Sequence, residues 1–168
     1  LQLLTTVAPL SAPALSLDTG AVIPGTLTHL VIVMHARSAA AAAGDTVTIQ
    51  LNGDTGNNYS WITLSGNGTT AASGTGSAIQ WGRVGYIPGA NQAAGTFGQG
   101  ILVISRYAST IAVKSGTMYS GAGSGLTPFG LGMGTFSWAS AAAINRVQLL
   151  CISAANMDTG SAMYVYGL

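Results

Sequence analysis

The chain contains no glutamate, one lysine (Lys114) and one cysteine (Cys151). Its formal charges are five cations and four aspartates in 168 residues, 5% of the sequence, where soluble domains average about 25%. Each shortage excludes something. The cations stand singly, so no stripe neutralises several phosphates and nucleic-acid binding is not expected. A single cysteine allows neither an intrachain disulfide framework nor a CxxC pair for zinc. Cys151 lies in the apolar run Val147 to Ile152, which suits a small buried hydrophobe better than a reactive thiol, because nothing beside it would lower its pKa. The longest strongly apolar run is Leu30 to Met34, far below the ~20 residues of a spanning helix, and no membrane partner is expected. The surface is left to Ser, Thr, Asn, Gln, Gly and Ala, which hydrate adequately but scarcely repel other copies. Such a surface suits a protein held among others in a durable assembly.

The length suits one domain with a real core, burying roughly 70% of the unfolded chain's surface. Residues 1–26 read as an extended N-terminal arm. Pro9, Pro13 and Pro24 disfavour helix or central strand there, yet Leu3, Leu4, Val7, Leu10 and Leu15 make the segment too apolar for a free tail. These five are the expected partner contacts, with the arm lying on its own domain or on a neighbouring subunit. From Leu27 the pattern has period two: Val47, Ile49 and Leu51 share one face of a strand, while Ile62 and Leu64 alternate with Tyr59, Trp61 and Thr63. Further strands are expected over 27–37, 78–87, 98–107, 110–119, 131–138, 144–153 and 161–167. Turn signals punctuate them at Asn52-Gly53-Asp54, Gly66-Asn67-Gly68, Pro88-Gly89, Gly121 to Gly125 and Asp158-Thr159-Gly160. Small-residue patches at 66–77, 89–96 and 121–134 read as surface loops. The pattern predicts an all-β fold, an antiparallel β-sandwich of jelly-roll type spanning 27–168 as a single domain.

Chemistry finds little foothold. His29 and His35 share a strand face but stand about 20 Å apart at strand rise, so they cannot share a metal. Asn52, Asp54, Asn57 and Asn58 supply oxygens within one turn. A calcium site there would lack the closing bidentate glutamate of an EF-hand, and Asx side chains holding their own turn explain the cluster better. The glycine clusters at 121–125 and 130–134 lack the strand, helix and acidic residue of a dinucleotide fingerprint, and no Walker ending follows them. The four aspartates show no pairing of the glycosidase kind, and no nucleophile, base and orienter come together. No catalytic, cofactor or metal residues are assigned, and an enzyme is not expected. Tyr59 and Trp61 would stack on a sugar if their face is exposed; a covering second sheet would instead bury them.

Three stretches carry a resemblance. Thr28-His29-Leu30 leads to His35-Ala36-Arg37-Ser38. Leu51-Asn52-Gly53-Asp54 leads through Asn58-Tyr59 to Leu64-Ser65-Gly66-Asn67-Gly68. Ile144-Asn145-Arg146-Val147 leads through Asn156 and Gly160-Ser161 to the closing Tyr164-Val165-Tyr166-Gly167-Leu168. Over residues 27–168 this resembles a family of small virion structural proteins of tailed bacteriophages: head-decoration, head-fibre and tail-associated β domains. The resemblance implies a structural role on the surface of the phage particle, without catalytic residues or cofactors. The expected function is that of a capsid decoration or cement protein, a homo-oligomer, with a trimer fitting the three-fold positions of an icosahedral shell. Its partners would be further copies of itself and the major capsid protein or other virion proteins. The alternative is a tail-fibre or tail-tip module binding host glycans, with Tyr59 and Trp61 as stacking residues.

Overall fold

The period-two pattern is realised as strands almost throughout. The computed structural model describes residues 1–124 and 127–168. Among them the chain forms twelve strands and no helix: β1 (Gln2–Val7), β2 (Ser16–Asp18), β3 (His29–Ala36), β4 (Gly44–Leu51), β5 (Tyr59–Gly66), β6 (Ala71–Ile79), β7 (Gly82–Pro88), β8 (Gly98–Ser105), β9 (Lys114–Ser124), β10 (Thr127–Trp138), β11 (Val147–Cys151) and β12 (Ala162–Gly167). They form a larger sheet in the order β1-β12-β3-β8-β9-β10-β5-β6 and a smaller one in the order β2-β11-β4-β7. Every pair of neighbouring strands is antiparallel. The two sheets pack face to face as a sandwich, so the expected all-β antiparallel sandwich is the fold.

Eight strands alternate between the layers. β1 and β2, β3 and β4, β7 and β8, and β11 and β12 are successive strands in opposite sheets. Two hairpins are inserted into this wrap: β5–β6 between β4 and β7, and β9–β10 between β8 and β11. Although far apart in sequence they pair with each other, Met133 opposite Leu64 and Trp138 opposite Tyr59, and they extend the larger sheet beyond the smaller one. β7, at the edge of the smaller sheet, packs under this extension against β5, β9 and β10.

The core is aliphatic where the two four-stranded blocks face each other: Leu17, Leu30, Val47, Ile49, Leu51, Ile104 and Val165 are fully enclosed. Each such side chain contributes about 1.5–3 kcal/mol on burial. Residues 1–26 lie on this domain, contributing the strands β1 and β2. Leu3 pairs with Tyr166 and Val7 with Met163 in the larger sheet, and Leu17 pairs with Leu149 in the smaller. Between them Leu10 and Ala14 exchange backbone hydrogen bonds with Gly160, Ser161 and Met157. The segment thus gives one edge strand to each sheet, and Pro9 and Pro13 occupy the crossing between them.

Three expectations of local structure need correction. The strand expected over 78–87 is two, broken at Gln80 and Trp81. The patch at 66–77, read as a loop, holds most of the nine-residue strand β6, which runs on to Ile79. The patch at 121–134 belongs mostly to the β9–β10 hairpin, with Gly125 of its turn signal outside the described residues. The physical reason is shared. Glycines on these strands face aromatic rings that occupy the space a side chain would need: Gly74 and Gly76 lie beneath Trp61, and Gly130 beneath Tyr86.

Candidate interaction surface

The few charged groups go mostly to internal fastening. Arg37 donates to the carbonyls of Ala90, Gln92, Ala93 and Thr96 and pairs with Asp158 at 3.4 Å, so one guanidinium closes the loop 89–96. Lys114 is wholly buried and its Nζ donates to the carbonyls of Ser109, Ala112 and Ala141. Asp45 accepts from Ser38 and Ser153. Arg146 pairs with Asp18 at 2.5 Å. The solvated surface is therefore even poorer in charge than the composition implies.

Asp54 shows how the proposed turn site is used. Its carboxylate accepts from Trp138 Nε1 at 2.6 Å, from Asn58 Nδ2 and from the Gly56 amide. Desolvation pushes its pKa up, but these donors outweigh it and leave the group below its ordinary value. Its oxygens hold the turn and the indole of Trp138. Asn52 likewise accepts from the amides of Asn145 and Arg146. His35 stacks on Phe97 with ring centroids 4.6 Å apart, and His29 Nδ1 is hydrogen-bonded to Thr28 Oγ1. Among the described residues no three His, Cys, Asp or Glu side chains come together as a metal-binding group. Cys151 is buried with its Sγ 3.7 Å from Met157 Sδ, and burial pushes its thiol up to about 11.

The alternative glycan platform of Tyr59 and Trp61 does not form, and the covered face weighed against it is what the structure has. Tyr59 is 1% exposed; its hydroxyl accepts from the Leu51 amide at 2.9 Å, and burial pushes its pKa up to about 12. Trp61 is half-buried, stacked on Trp81 and covered by the Arg83 guanidinium at 5.3 Å. No sugar reaches Tyr59. The reason is parity: the smaller sheet's edge covers the Tyr59, Trp61 and Thr63 face of β5, and Ile62 and Leu64 point outward instead.

That inversion exposes a surface. Across the outer face of the larger sheet, Ile101 of β8 is opposite Tyr119 of β9, Tyr119 is opposite Met133 of β10, and Met133 is opposite Leu64 of β5. Val33 of β3 extends the same row beyond Ile101. Ile62 and Leu131 flank it. These six from β5 and β8–β10 are 41–62% exposed, and threonines 117 and 135 separate them on the neighbouring row. Over all eight strands of this sheet the only charged residue is Lys114, and it is buried. Seven gaps of about 4.8 Å and strands about 20 Å long give a sheet plane of roughly 700 Å². That is comparable to the ~800 Å² each partner buries in a standard interface.

The arm residues divide. Leu4, Val7 and Leu10 pack against the core, whereas Leu3 and Leu15 are 53% and 59% exposed. Because β7 contacts β8 at one end of the sandwich, the edge strands β1 and β2 lie at the other end; Leu3 of β1 stands opposite Tyr166, in the row that Val31 and Val103 continue across the outer face of the larger sheet, while Leu15 precedes β2 of the smaller sheet. Sequence reading missed the outer row. Its signal was present in β10, where Leu131 and Met133 alternate with Gly130, Gly132 and Gly134. Large residues alternating with glycine normally mark the core face; here the glycines face inward, under aromatic rings and against the neighbouring backbone. Comparison with protein-family models, curated proteins and solved structures finds no match to this chain.

Proposed function

We propose that this protein is a structural component of a bacteriophage particle, a capsid decoration or cement protein that acts as a homo-oligomer on the surface of the head. The observation that carries the reading is the larger sheet, eight strands wide, with no exposed charge and an apolar row across its outer face. A monomer diffusing alone would tend to precipitate through such a face. A second copy of this chain fits it, since a surface without charge meets its own kind without repulsion and its area matches a stable contact. The alternation of β1, β12, β3 and β8 over β2, β11, β4 and β7 supports a jelly-roll reading, a design used by viral capsid and lectin domains. That support is by analogy of fold, and the resemblance in residues 27–168 points the same way.

In this reading, closed three-fold symmetry places the outer faces between copies, and the edge of the sandwich formed by β1 and β2 meets the shell. No bond is made or broken. Apolar and backbone-polar surface is withdrawn from water across joints between capsomers. The experiment is reconstitution on phage heads stripped of this protein. Wild-type protein is expected to bind at a fixed stoichiometry of hundreds of copies per head. Leu3→Ser with Leu15→Ser, both at exposed positions, is expected to lower occupancy about tenfold without changing the melting temperature, equivalent to roughly 1.4 kcal/mol. Binding to tail tips at a few copies, with none on heads, overturns the reading.

A further inference from the structure

Arg83 breaks the pattern of internal fastening. It is half-buried at the edge of the smaller sheet, its Nη2 donates to Thr46 Oγ1 at 3.0 Å, and one face of its guanidinium covers Trp61. A guanidinium carries five N–H donors, and this is its only hydrogen bond among the described residues. Among the described residues no carboxylate lies within ion-pair distance: Asp18 and Asp158 pair with Arg146 and Arg37, and Asp45 and Asp54 are held by Ser38, Ser153, Trp138 and Asn58. Burial of Arg83 lowers its pKa, yet an arginine remains charged at neutral pH. A partly desolvated cation without a counter-ion is costly unless an anion arrives from outside.

Arg83 lines a cleft of about 220 Å³ between β7 and the extension formed by β5, β6 and β10. Its walls combine the hydroxyl-bearing Thr63, Ser65 and Thr70 with Leu64, Met118 and Tyr86. The cleft is smaller than the ~300–1,000 Å³ of a drug-sized site and suits one small ring. A single planar guanidinium matches a single carboxylate, which it grips through two parallel N–H bonds. A phosphate carrying nearly two charges would call for a second cation, and no other Lys or Arg lines the cleft. Hydroxyl-bearing walls suit a ligand that itself carries hydroxyls.

We infer that this cleft binds one hexuronate unit of an acidic polysaccharide, its carboxylate on Arg83 and its ring hydroxyls toward Thr63, Ser65 and Thr70. The inference does not depend on the oligomeric reading above: Arg83 and Thr63 lie on the inner side of the extension, while Leu64 and Leu131, which border the outer row, also contribute to the cleft wall. Neutral glycan stacking on Tyr59 plays no part in it.

The test is an amide NMR titration of the full chain with methyl galacturonate, methyl galactoside and acetate in parallel. Galacturonate is expected to shift the amides around Arg83, Gly85 and Gly132 with a dissociation constant of about 1 mM or tighter. Galactoside, which lacks the charge, and acetate, which lacks the ring, are each expected to bind about tenfold more weakly. Arg83→Gln removes the charge. Because it also uncovers Trp61, Ala72→Trp on the exposed edge strand serves as a second variant that blocks the cleft without touching the guanidinium. Both are expected to weaken galacturonate about tenfold or more with the amide spectrum elsewhere unchanged. Equal affinity for galactoside or acetate, unchanged binding in either folded variant, or no shift with galacturonate at tens of millimolar overturns the inference.

Discussion

Phe136 is fully buried between the layers, and a Cβ built on Gly116 would stand 2.5 Å from its ring, one on Gly82 2.9 Å. Trp61 fills the same role over Gly76 and Gly74, where the added atoms would meet the indole at 2.6 and 3.2 Å. Tyr86 does so over Gly130 and Gly44. Glycine weakens an isolated strand, but here three aromatic rings take the volume that six missing side chains release, which keeps packing close to that of an ordinary interior. Gly116→Ala is accordingly expected to destabilise the fold by about 1–3 kcal/mol through displacement of Phe136, read as a lower urea midpoint with an unchanged slope. An alanine tolerated there without loss would mean the ring has room to move. At this scale the sequence was partly legible. Cys151 is buried and Asp54 holds its own turn, both as the residue types and their neighbours predicted. Arg83 was not singled out, because a half-buried cation without a counter-ion differs from an ordinary surface arginine only once the fold is known.

At the scale of elements, alternation located strands well and assigned their faces poorly. β3, β8, β11 and β12 lie within the segments their apolar periodicity predicted, and β4 covers most of the alternating stretch Thr46 to Asn52. β6 and the inner half of the β9–β10 hairpin did not read as strands, since Gly, Ser and Ala carry no hydrophobic period. β5 was located but its parity was ambiguous: both faces hold large residues, and only the position of β7 decides which is covered. The edge strand β2 is fastened by electrostatics as well as by pairing. Asp18 accepts from Arg146 Nε and Nη2 and from the Gly20 amide, and the Arg146 guanidinium, ahead of the Gly20 amide, holds its carboxyl below the ordinary value. The folded state therefore binds a proton less readily than the unfolded chain. The resulting stabilisation is complete above the unfolded carboxylate value of about 4 and is lost as pH falls through the lower folded value. Arg146→Gln is expected to remove this part of the acid sensitivity and to raise the Asp18 midpoint toward 4 in a carboxyl carbon NMR titration. A midpoint that stays low in the variant would assign the effect to the Gly20 amide alone.

For the whole molecule the scarcity of charge has a structural counterpart. Among the described residues eight of the nine charged groups, Arg37, Asp158, Lys114, Asp45, Asp54, Asp18, Arg146 and Arg83, make ion pairs or hydrogen bonds within the chain. The larger sheet is left with an uncharged outer face, and its edge strand β6 carries neither the Lys nor the Pro that commonly protects such edges. The composition predicts a protein held among others; it does not indicate which surface would serve, because that depends on glycines turning inward. The most direct measurement is sedimentation velocity of purified protein at about 10 μM beside the Met133→Lys variant, whose new charge stands at the centre of the apolar row. Wild type is expected to sediment as a closed oligomer of about 50 kDa, three chains of 16.8 kDa. The variant is expected to sediment as a folded monomer, since an unpaired charge at the centre of an interface costs several kcal/mol, on the order of 2–5. A wild-type protein that stays at 16.8 kDa up to millimolar concentration, or a variant that assembles as readily as wild type, would contradict the account.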